Sequence, residues 1–250
     1  ITRELIILLR TYFIFHTNFI GEDMLRIAPR RGVDEILGLY AAISLRGGVI
    51  AGGYARYMCS PSSVPRPYTD VDIFSYNETC YEALEMHFRS SEGIQIAHTN
   101  EISTTFDVSN CPEYKQCPNI NLISPKVRKT SVTVGSEVEI LDSFDFTVCR
   151  AAVISPNEVL VDDNFLADES KGEIRFHKIR SPIGALFRVI KYVEKGYKLP
   201  WDEAFKLMES WDTVSPQNKT LIKDYLGGKL GGAEAQKEFE HAYEILKFGE

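Results

Sequence analysis

The sequence has few cysteines for its length. There are five in 250 residues: Cys59, Cys80, Cys111, Cys117 and Cys149. An odd number leaves at least one thiol unpaired, and the pattern is not that of a small secreted domain built on disulfides, so we expect reduced thiols. The chain also lacks an excess of positive charge, since its formal net charge is −7. This excludes a uniformly basic surface for nucleic acid, although it allows a local basic patch.

Long apolar runs are missing as well. No run reaches the roughly 18 residues that a membrane-spanning helix needs. The most apolar stretch, residues 5–20, is interrupted by Arg10, His16 and Asn18. No signal peptide, internal repeat or low-complexity segment is evident. With 44% apolar and 25% charged residues, the composition is that of an average globular protein. We expect a cytoplasmic protein with no membrane partner.

Hydrophobic periodicity divides the chain into two parts. The first part predicts strands at 49–51, 70–76, 94–98, 102–108, 119–123 and 144–153, and helices at 32–45, 54–59, 78–90 and 136–142. The second part predicts helices at 181–196, 201–211, 216–227 and 233–247. The sequence therefore predicts an α/β domain over residues 1–155, followed by an all-helical domain over residues 156–250.

Two glycines follow the first apolar run of the α/β domain. The run Val49-Ile50-Ala51 ends at Gly52-Gly53, and a helix is predicted to begin directly afterwards. Backbone without side chains at the start of a helix lets phosphate oxygens approach its N–H groups. Taken alone, a Gly-Gly pair is more typical of a tight turn between a strand and a helix.

Two aspartates alternate in the strand predicted at 70–76. A period of two places Asp70 and Asp72 on one face, with Phe74, while Val71 and Ile73 point the other way. Two carboxylates held this close together are unfavourable unless a cation neutralises them, and hard oxygen ligands suit Mg²⁺ or Mn²⁺. Taken alone, one Asp-x-Asp is more often an exposed polar edge.

A third acid lies in a later apolar run. Asp145 stands between Phe144 and Phe146, where a charge without a partner is unfavourable. Asp142 is less buried by pattern, and Asp107 is a further acid on a predicted strand. Of these three acids we favour Asp145.

The glycine turn, the Asp-x-Asp strand and the later acid, in this order, resemble the nucleotidyltransferase superfamily typified by DNA polymerase β. The resemblance is greatest to its poly(A) polymerase and CCA-adding branch and covers roughly residues 45–200. Residues 52–57 (GGYARY) are similar to that branch's Gly-Gly-x-Val-Arg-Asp turn, and residues 145–152 (DFTVCRAA) to its Arg-Arg-Asp-Phe-Thr-x-Asn-Ala strand. Residues 181–197 are similar to its Asp-Pro-x-Arg-x-Leu-Arg helix. Ser143-Phe144 replace the branch's two arginines. With this departure, the pattern of motifs is similar to that of phage- or virus-type nucleotidyltransferase-like proteins. That resemblance implies a place in the cytoplasm of a host cell.

The resemblance implies an α+β fold, with a small mixed β-sheet core and flanking helices, followed by an all-helical C-terminal region. It implies a metal-dependent enzyme that moves a nucleoside monophosphate from an NTP to an acceptor hydroxyl and releases pyrophosphate. Two Mg²⁺ or Mn²⁺ ions would be held by Asp70, Asp72 and Asp145. Gly52 and Gly53 would contact the β and γ phosphates.

Positive charge is concentrated in residues 171–198. This segment has eight Lys and Arg against two Glu, a net charge of +6 in a chain of −7. A solvated helix face gives the same pattern, but the contrast with the rest of the chain favours phosphate binding. Arg56, Arg188 and Lys191 are the predicted cations of the nucleotide site. A tRNA-like 3′ end is the predicted partner of the basic segment.

Three functions are left open at this point. The leading one transfers a nucleotide to an RNA 3′ end. The second keeps the chemistry but uses a protein or small-molecule acceptor, as in toxin-like or resistance-like relatives, and the acidic overall charge favours it. The third is a catalytically degenerate protein that binds a nucleotide or a partner protein. The placement of Asp145 relative to Asp70 and Asp72 separates the third function from the first two.

Overall fold

A computed structural model describes residues 23–100, 103–114, 117, 119–125 and 137–220. The strands are β1 (Met24–Ile27), β2 (Gly48–Ala51), β3 (Val71–Ser75), β4 (Gln95–Thr99), β5 (Ser103–Asp107), β6 (Asn119–Ile123), β7 (Ala151–Ser155) and β8 (Glu158–Asp162). The helices are α1 (Val33–Ser44), α2 (Gly53–Cys59), α3 (Glu78–Ser90), α4 (Glu137–Leu141), α5 (Phe165–Lys171), α6 (Pro182–Glu194) and α7 (Trp201–Asp212), with a 3₁₀ turn at Thr147–Cys149.

The strands form one mixed sheet in the order β1-β8-β7-β2-β3-β6-β5-β4. Strands β3 and β6 pair in parallel, and the other neighbours are antiparallel. The parallel pair places Asp72 opposite Asn121, and the pairing of β5 with β6 places Thr105 opposite the same Asn121. Three polar residues therefore form a row across the neighbouring strands β3, β6 and β5.

The two faces of the sheet have separate apolar cores. On one face, Ile73 of β3 packs with Leu39 of α1 and Phe88 of α3. The opposite face, called the site face below, carries Asp72 and Phe74 and packs in part against α4. Residues of β3 alternate between buried and half-buried, as a strand with one apolar face requires. The predicted alternation is therefore confirmed for Val71–Ser75, with Asp72 and Phe74 on the site face.

The predicted α+β fold with a mixed sheet and flanking helices is confirmed. The strand predicted at 144–153 is wrong in its first half, because residues 144–150 form a loop and the 3₁₀ turn, and β7 begins at Ala151. Strands β1 and β8 and helix α5 were not predicted from the sequence. The predicted stretch 5–20, most of helix 216–227 and all of helix 233–247 lie outside the described residues.

The division into two compact units falls between Ser170 and Lys171. This is later than the predicted boundary at 155, because β8 pairs with both β7 and β1 in the sheet of the first unit. Within its described part, the second unit contains the helices α6 and α7. None of the helices in the described ranges has the length and apolar character needed to cross a membrane.

All five cysteines are free thiols. Burial raises the pKa of Cys59 to about 12 and that of Cys117 to about 11, so both stay protonated near neutral pH. Cys59, Cys111 and Cys117 belong to the core on the α1 side of the sheet. These three thiols act as small apolar side chains.

Helix α3 begins with a side-chain cap that can be tested directly. The Asn77 carbonyl oxygen accepts a hydrogen bond from the Cys80 amide at 2.9 Å. Replacing Asn77 with Ala removes this acceptor and is expected to lower the free energy of unfolding by about 1 kcal/mol. Urea denaturation measures the loss, and Asn77→Asp, which keeps the acceptor, should restore most of it. Equal losses in both variants would contradict the capping role.

Candidate active site

The turn between β2 and α2 requires glycine at its first position. Gly52 has φ +80° and ψ −131°, a backbone conformation that residues with a Cβ rarely adopt. Its amide donates to the Ala151 carbonyl at 2.9 Å, and its carbonyl accepts from the Arg56 amide at 2.9 Å. The end of β2 is therefore tied both to β7 and to the first turn of α2.

Two side chains of the site face lie directly against this turn. A Cβ on Gly52 would be 3.5 Å from the Asp72 Oδ2 atom and 3.2 Å from a ring carbon of Phe144. The Phe144 ring also packs on Phe74, with centroids 5.3 Å apart. The structure thus brings Gly52 and Asp72, two residues predicted from the sequence, to one point. It adds Phe144 as an aromatic wall.

Asp72 belongs to a row of hydrogen-bonded side chains on neighbouring strands, which was not predicted from the sequence. The Asn121 amide nitrogen donates to Asp72 Oδ1 at 3.1 Å. The Thr105 hydroxyl donates to Asn121 Oδ1 at 3.0 Å. The signal present in the sequence was the alternation of Asn119 and Asn121 with the apolar Ile120. In the structure the two asparagines are half-buried and Ile120 is buried. That pattern does not reveal which strand lies beside β6.

Asp70 lies at the entrance to β3. It is half-buried, and its Oδ1 atom accepts a hydrogen bond from the Thr69 hydroxyl at 3.1 Å. Asp70 directly precedes the first residue of β3, and Asp72 lies within the strand. Their oxygen donors suit a hard divalent cation such as Mg²⁺ or Mn²⁺. The chemistry of the two carboxylates therefore fits such an ion, and a metal site formed by them stays a prediction.

Asp145 lies on the loop before the 3₁₀ turn and not on a strand, which corrects that part of the prediction. Its side chain is buried, with 5% of its surface exposed. The preceding residue, Phe144, is the one that contacts Gly52. Among the residues that the structure describes, no group of three or more His, Cys, Asp or Glu side chains is close enough to hold a metal ion. A ligand set of Asp70, Asp72 and Asp145 therefore stays a prediction.

Arg56 has a different place from the one predicted. Its guanidinium is 1% exposed, lies 3.4 Å from Glu169 Oε1, and donates to the carbonyls of Arg66 and Pro67 at 3.1 and 2.8 Å. A group so buried and so bonded does not reach a nucleotide. Arg56 instead fixes residues 60–69, the loop that leads into Asp70. Ser60 completes the arrangement by donating to Glu169 at 2.9 Å.

Arg188 and Lys191 lie on α6 of the second unit, with Arg188 half-buried and Lys191 exposed. Helix α6 begins at a cap in which the Ser181 hydroxyl accepts from the Gly184 amide at 3.2 Å. Not all of the predicted basic segment is available to a polyanion, because Arg175 pairs with Asp202 at 3.0 Å and with other acids of the same unit. The assignment of Arg188 and Lys191 to a nucleotide stays a prediction.

The Gly52 turn gives a matched pair of variants. Gly52→Ala forces a Cβ into a positive-φ backbone beside Phe144, and we expect it to lower the free energy of unfolding by about 1–3 kcal/mol. Gly53→Ala is the control, because the nearest described atom to its Cβ would be the Tyr68 Cβ at an ordinary 3.9 Å. Urea denaturation of both variants measures the difference. Equal stability of the two variants would contradict the strained turn.

The fold is similar to that of solved CCA-adding enzymes. A CCA-adding enzyme in complex with ATP is 15% identical, with a TM-score of 0.50 over 83% of this chain and 48% of that one. The Bacillus stearothermophilus CCA-adding enzyme in complex with CTP is 17% identical, with a TM-score of 0.49 over 70% of this chain and 42% of that one. The chain thus spans about half the length of these enzymes. The first similarity supports a nucleotidyltransferase-like fold.

At the level of sequence, a protein of Bacillus phage SPbetaL7 described as "Gabija anti-defense 2" is 24% identical over 151 residues. The match covers 53% of this chain and 38% of that protein. No family model matches the chain.

Proposed function

We propose that this protein is a metal-dependent nucleotidyltransferase that moves a nucleoside monophosphate from an NTP to an acceptor hydroxyl and releases pyrophosphate. The observation that carries the proposal is the contact between the glycine turn and the Asp-x-Asp strand, where Asp72 Oδ2 lies 3.5 Å from the Cβ position of Gly52. Phosphates lying on the glycine backbone would then be within reach of the Asp72 carboxylate. The nucleotidyltransferase-like fold gives independent support.

The chain's own residues would act mainly by positioning. Asp70 and Asp72, and in our proposal Asp145, would hold the divalent ions, Mg²⁺ or Mn²⁺. When bound, these ions supply charge neutralisation at the triphosphate and activation of the attacking hydroxyl. Gly52 and Gly53 would let the β and γ phosphates approach the backbone. The reaction breaks the bond between the α and β phosphates and forms a bond from the acceptor oxygen to the α phosphorus.

We propose an RNA 3′ end as the acceptor, bound in part by the basic segment 171–198, whereas Arg188 and Lys191 on α6 would be cations for the phosphates of the nucleotide. The net charge of +6 in this segment supports the assignment. RNA binding through several phosphate contacts would weaken steeply as salt is raised, whereas a protein or small-molecule acceptor would show a shallower dependence.

The test is transfer of label from each α-labelled NTP in the presence of Mg²⁺ or Mn²⁺ and total RNA, beside an Asp70→Ala/Asp72→Ala control. Label in RNA that is lost in the control supports the proposal and names the nucleotide. Label on a protein or small molecule keeps the chemistry but overturns the RNA acceptor. No transfer with any NTP or acceptor overturns the proposed activity.

A second candidate is a protein that acts against a host defence by binding, without nucleotidyl transfer. The similarity to the phage protein described as "Gabija anti-defense 2" favours it. The Asp70→Ala/Asp72→Ala variant separates the two functions in cells that carry such a defence. Protection that survives the double substitution supports binding alone, and protection that is lost supports the enzyme.

A further inference from the structure

The hydrogen-bonded row across the sheet has a defined direction. An ionised carboxylate only accepts hydrogen bonds, so the Asn121 amide must turn its nitrogen toward Asp72 and its oxygen toward Thr105. The Thr105 hydroxyl can donate or accept, and here it donates to that oxygen. The chemistry of the partners therefore fixes which way the Asn121 amide lies.

The two carboxylate oxygens of Asp72 have different surroundings. Oδ1 accepts the hydrogen bond from Asn121, while Oδ2 lies on the side of the glycine turn, 3.5 Å from the Cβ position of Gly52. Asn121 is uncharged, so it orients the carboxylate without neutralising it. A Lys or Arg in the same place would compete with a metal ion for the negative charge.

We propose that Asn121 is a positioning residue that turns Asp72 Oδ2 toward the metal and triphosphate, and that Thr105 acts through Asn121 by locking its amide. The inference rests on the proposed function of the Asp70–Asp72 face. In this proposal Thr105 on β5 and Asn121 on β6 raise metal affinity without binding the metal themselves, because they act through Asp72. The residues lie opposite one another in the strand register, so the row is fixed by backbone pairing and not by a mobile loop.

The experiment measures Mn²⁺ affinity of the full chain by electron paramagnetic resonance, with no nucleotide turnover needed. Outer-shell partners of metal ligands typically contribute 10- to 100-fold in affinity. We expect Asn121→Leu to weaken Mn²⁺ binding by about 10-fold, and Thr105→Val to weaken it in the same direction by less. Thr105→Ser keeps the hydroxyl and should retain most of the affinity.

Asn157→Leu is the control, because Asn157 is exposed in the turn between β7 and β8, at the opposite end of β7 from the Ala151 carbonyl that binds the Gly52 amide. It should leave Mn²⁺ affinity near that of the original protein, and thermal unfolding of each variant checks that the fold is kept. Unchanged affinity in folded Asn121→Leu, with affinity lost in Asp72→Asn, would overturn the positioning role alone. Unchanged affinity in Asp72→Asn would instead overturn the metal site itself.

Discussion

Replacing Asp72 with Asn is expected to lower nucleotidyl transfer by about 10³-fold, equivalent to about 4 kcal/mol of lost transition-state stabilisation. The substitution keeps the size of the side chain and its acceptor oxygen but removes the charge beside the Gly52 turn. Because Asp72 sits at the end of the row formed with Asn121 and Thr105, replacing it affects both metal binding and the hydrogen bond that orients the side chain. Initial rates with saturating Mg²⁺ measure the effect.

Asp107→Asn is the matched control for this substitution. Asp107 is an acid on β5 whose pKa is lowered by the hydrogen bond from the Ser109 amide, so it is charged at neutral pH as Asp72 must be to bind a metal. An Asn at position 107 can still accept that hydrogen bond. We expect its transfer rate to stay within about 3-fold of the original protein, since a surface change of this kind costs little. Equal losses in the two variants would contradict a specific role for Asp72.

The second large effect concerns stability. Arg56→Met is expected to lower the free energy of unfolding by about 3 kcal/mol, because it removes the buried guanidinium that faces the Glu169 carboxylate, 0% exposed, while Arg66 still lies 3.7 Å from that carboxylate. The same change frees the carbonyls of Arg66 and Pro67 that hold the loop before Asp70. Chemical denaturation measures the loss, and the transfer rate should fall even at temperatures where the variant is folded.

Two controls separate the buried pair from a general effect of the substitution. Arg26→Met removes an ion pair with Glu158 in which both side chains are 36% exposed, so it should cost less than about 1 kcal/mol. Adding Glu169→Gln to Arg56→Met removes the buried charge that has lost its Arg56 partner and should recover about 0.5–3 kcal/mol. A double variant no more stable than Arg56→Met alone would show that the ion pair is not the cause.

Local patterns predicted much of the fold and part of the site. The alternation in residues 71–75 was enough to orient Asp72, and glycines 52 and 53 were enough to mark the turn, because both signals lie within a few neighbouring residues. The loop that carries Asp145 was predicted as a strand, because the alternation Phe144-Asp145-Phe146 is typical of a strand whether or not the segment pairs with a neighbour.

The partners of these residues could not be predicted, since they come from distant parts of the chain. Glu169 lies 113 residues after Arg56, and Asn121 lies 49 residues after Asp72. The local sequences of β3 and β6 do not indicate which strand each will pair with. The position of Arg56 in a Gly-Gly-x-x-Arg pattern favoured a phosphate contact, and only the fold revealed the buried carboxylate that it meets.

In the proposed function, the bond between the α and β phosphates of an NTP is broken at the site that contains Asp70 and Asp72. The most direct measurement is the release of pyrophosphate with Mg²⁺ or Mn²⁺ and a cell extract that supplies every class of acceptor, for the original protein beside Asp72→Asn. We predict pyrophosphate release that needs the divalent ion and is nearly abolished in Asp72→Asn. No pyrophosphate from any NTP, or equal release by both proteins, would contradict the claim.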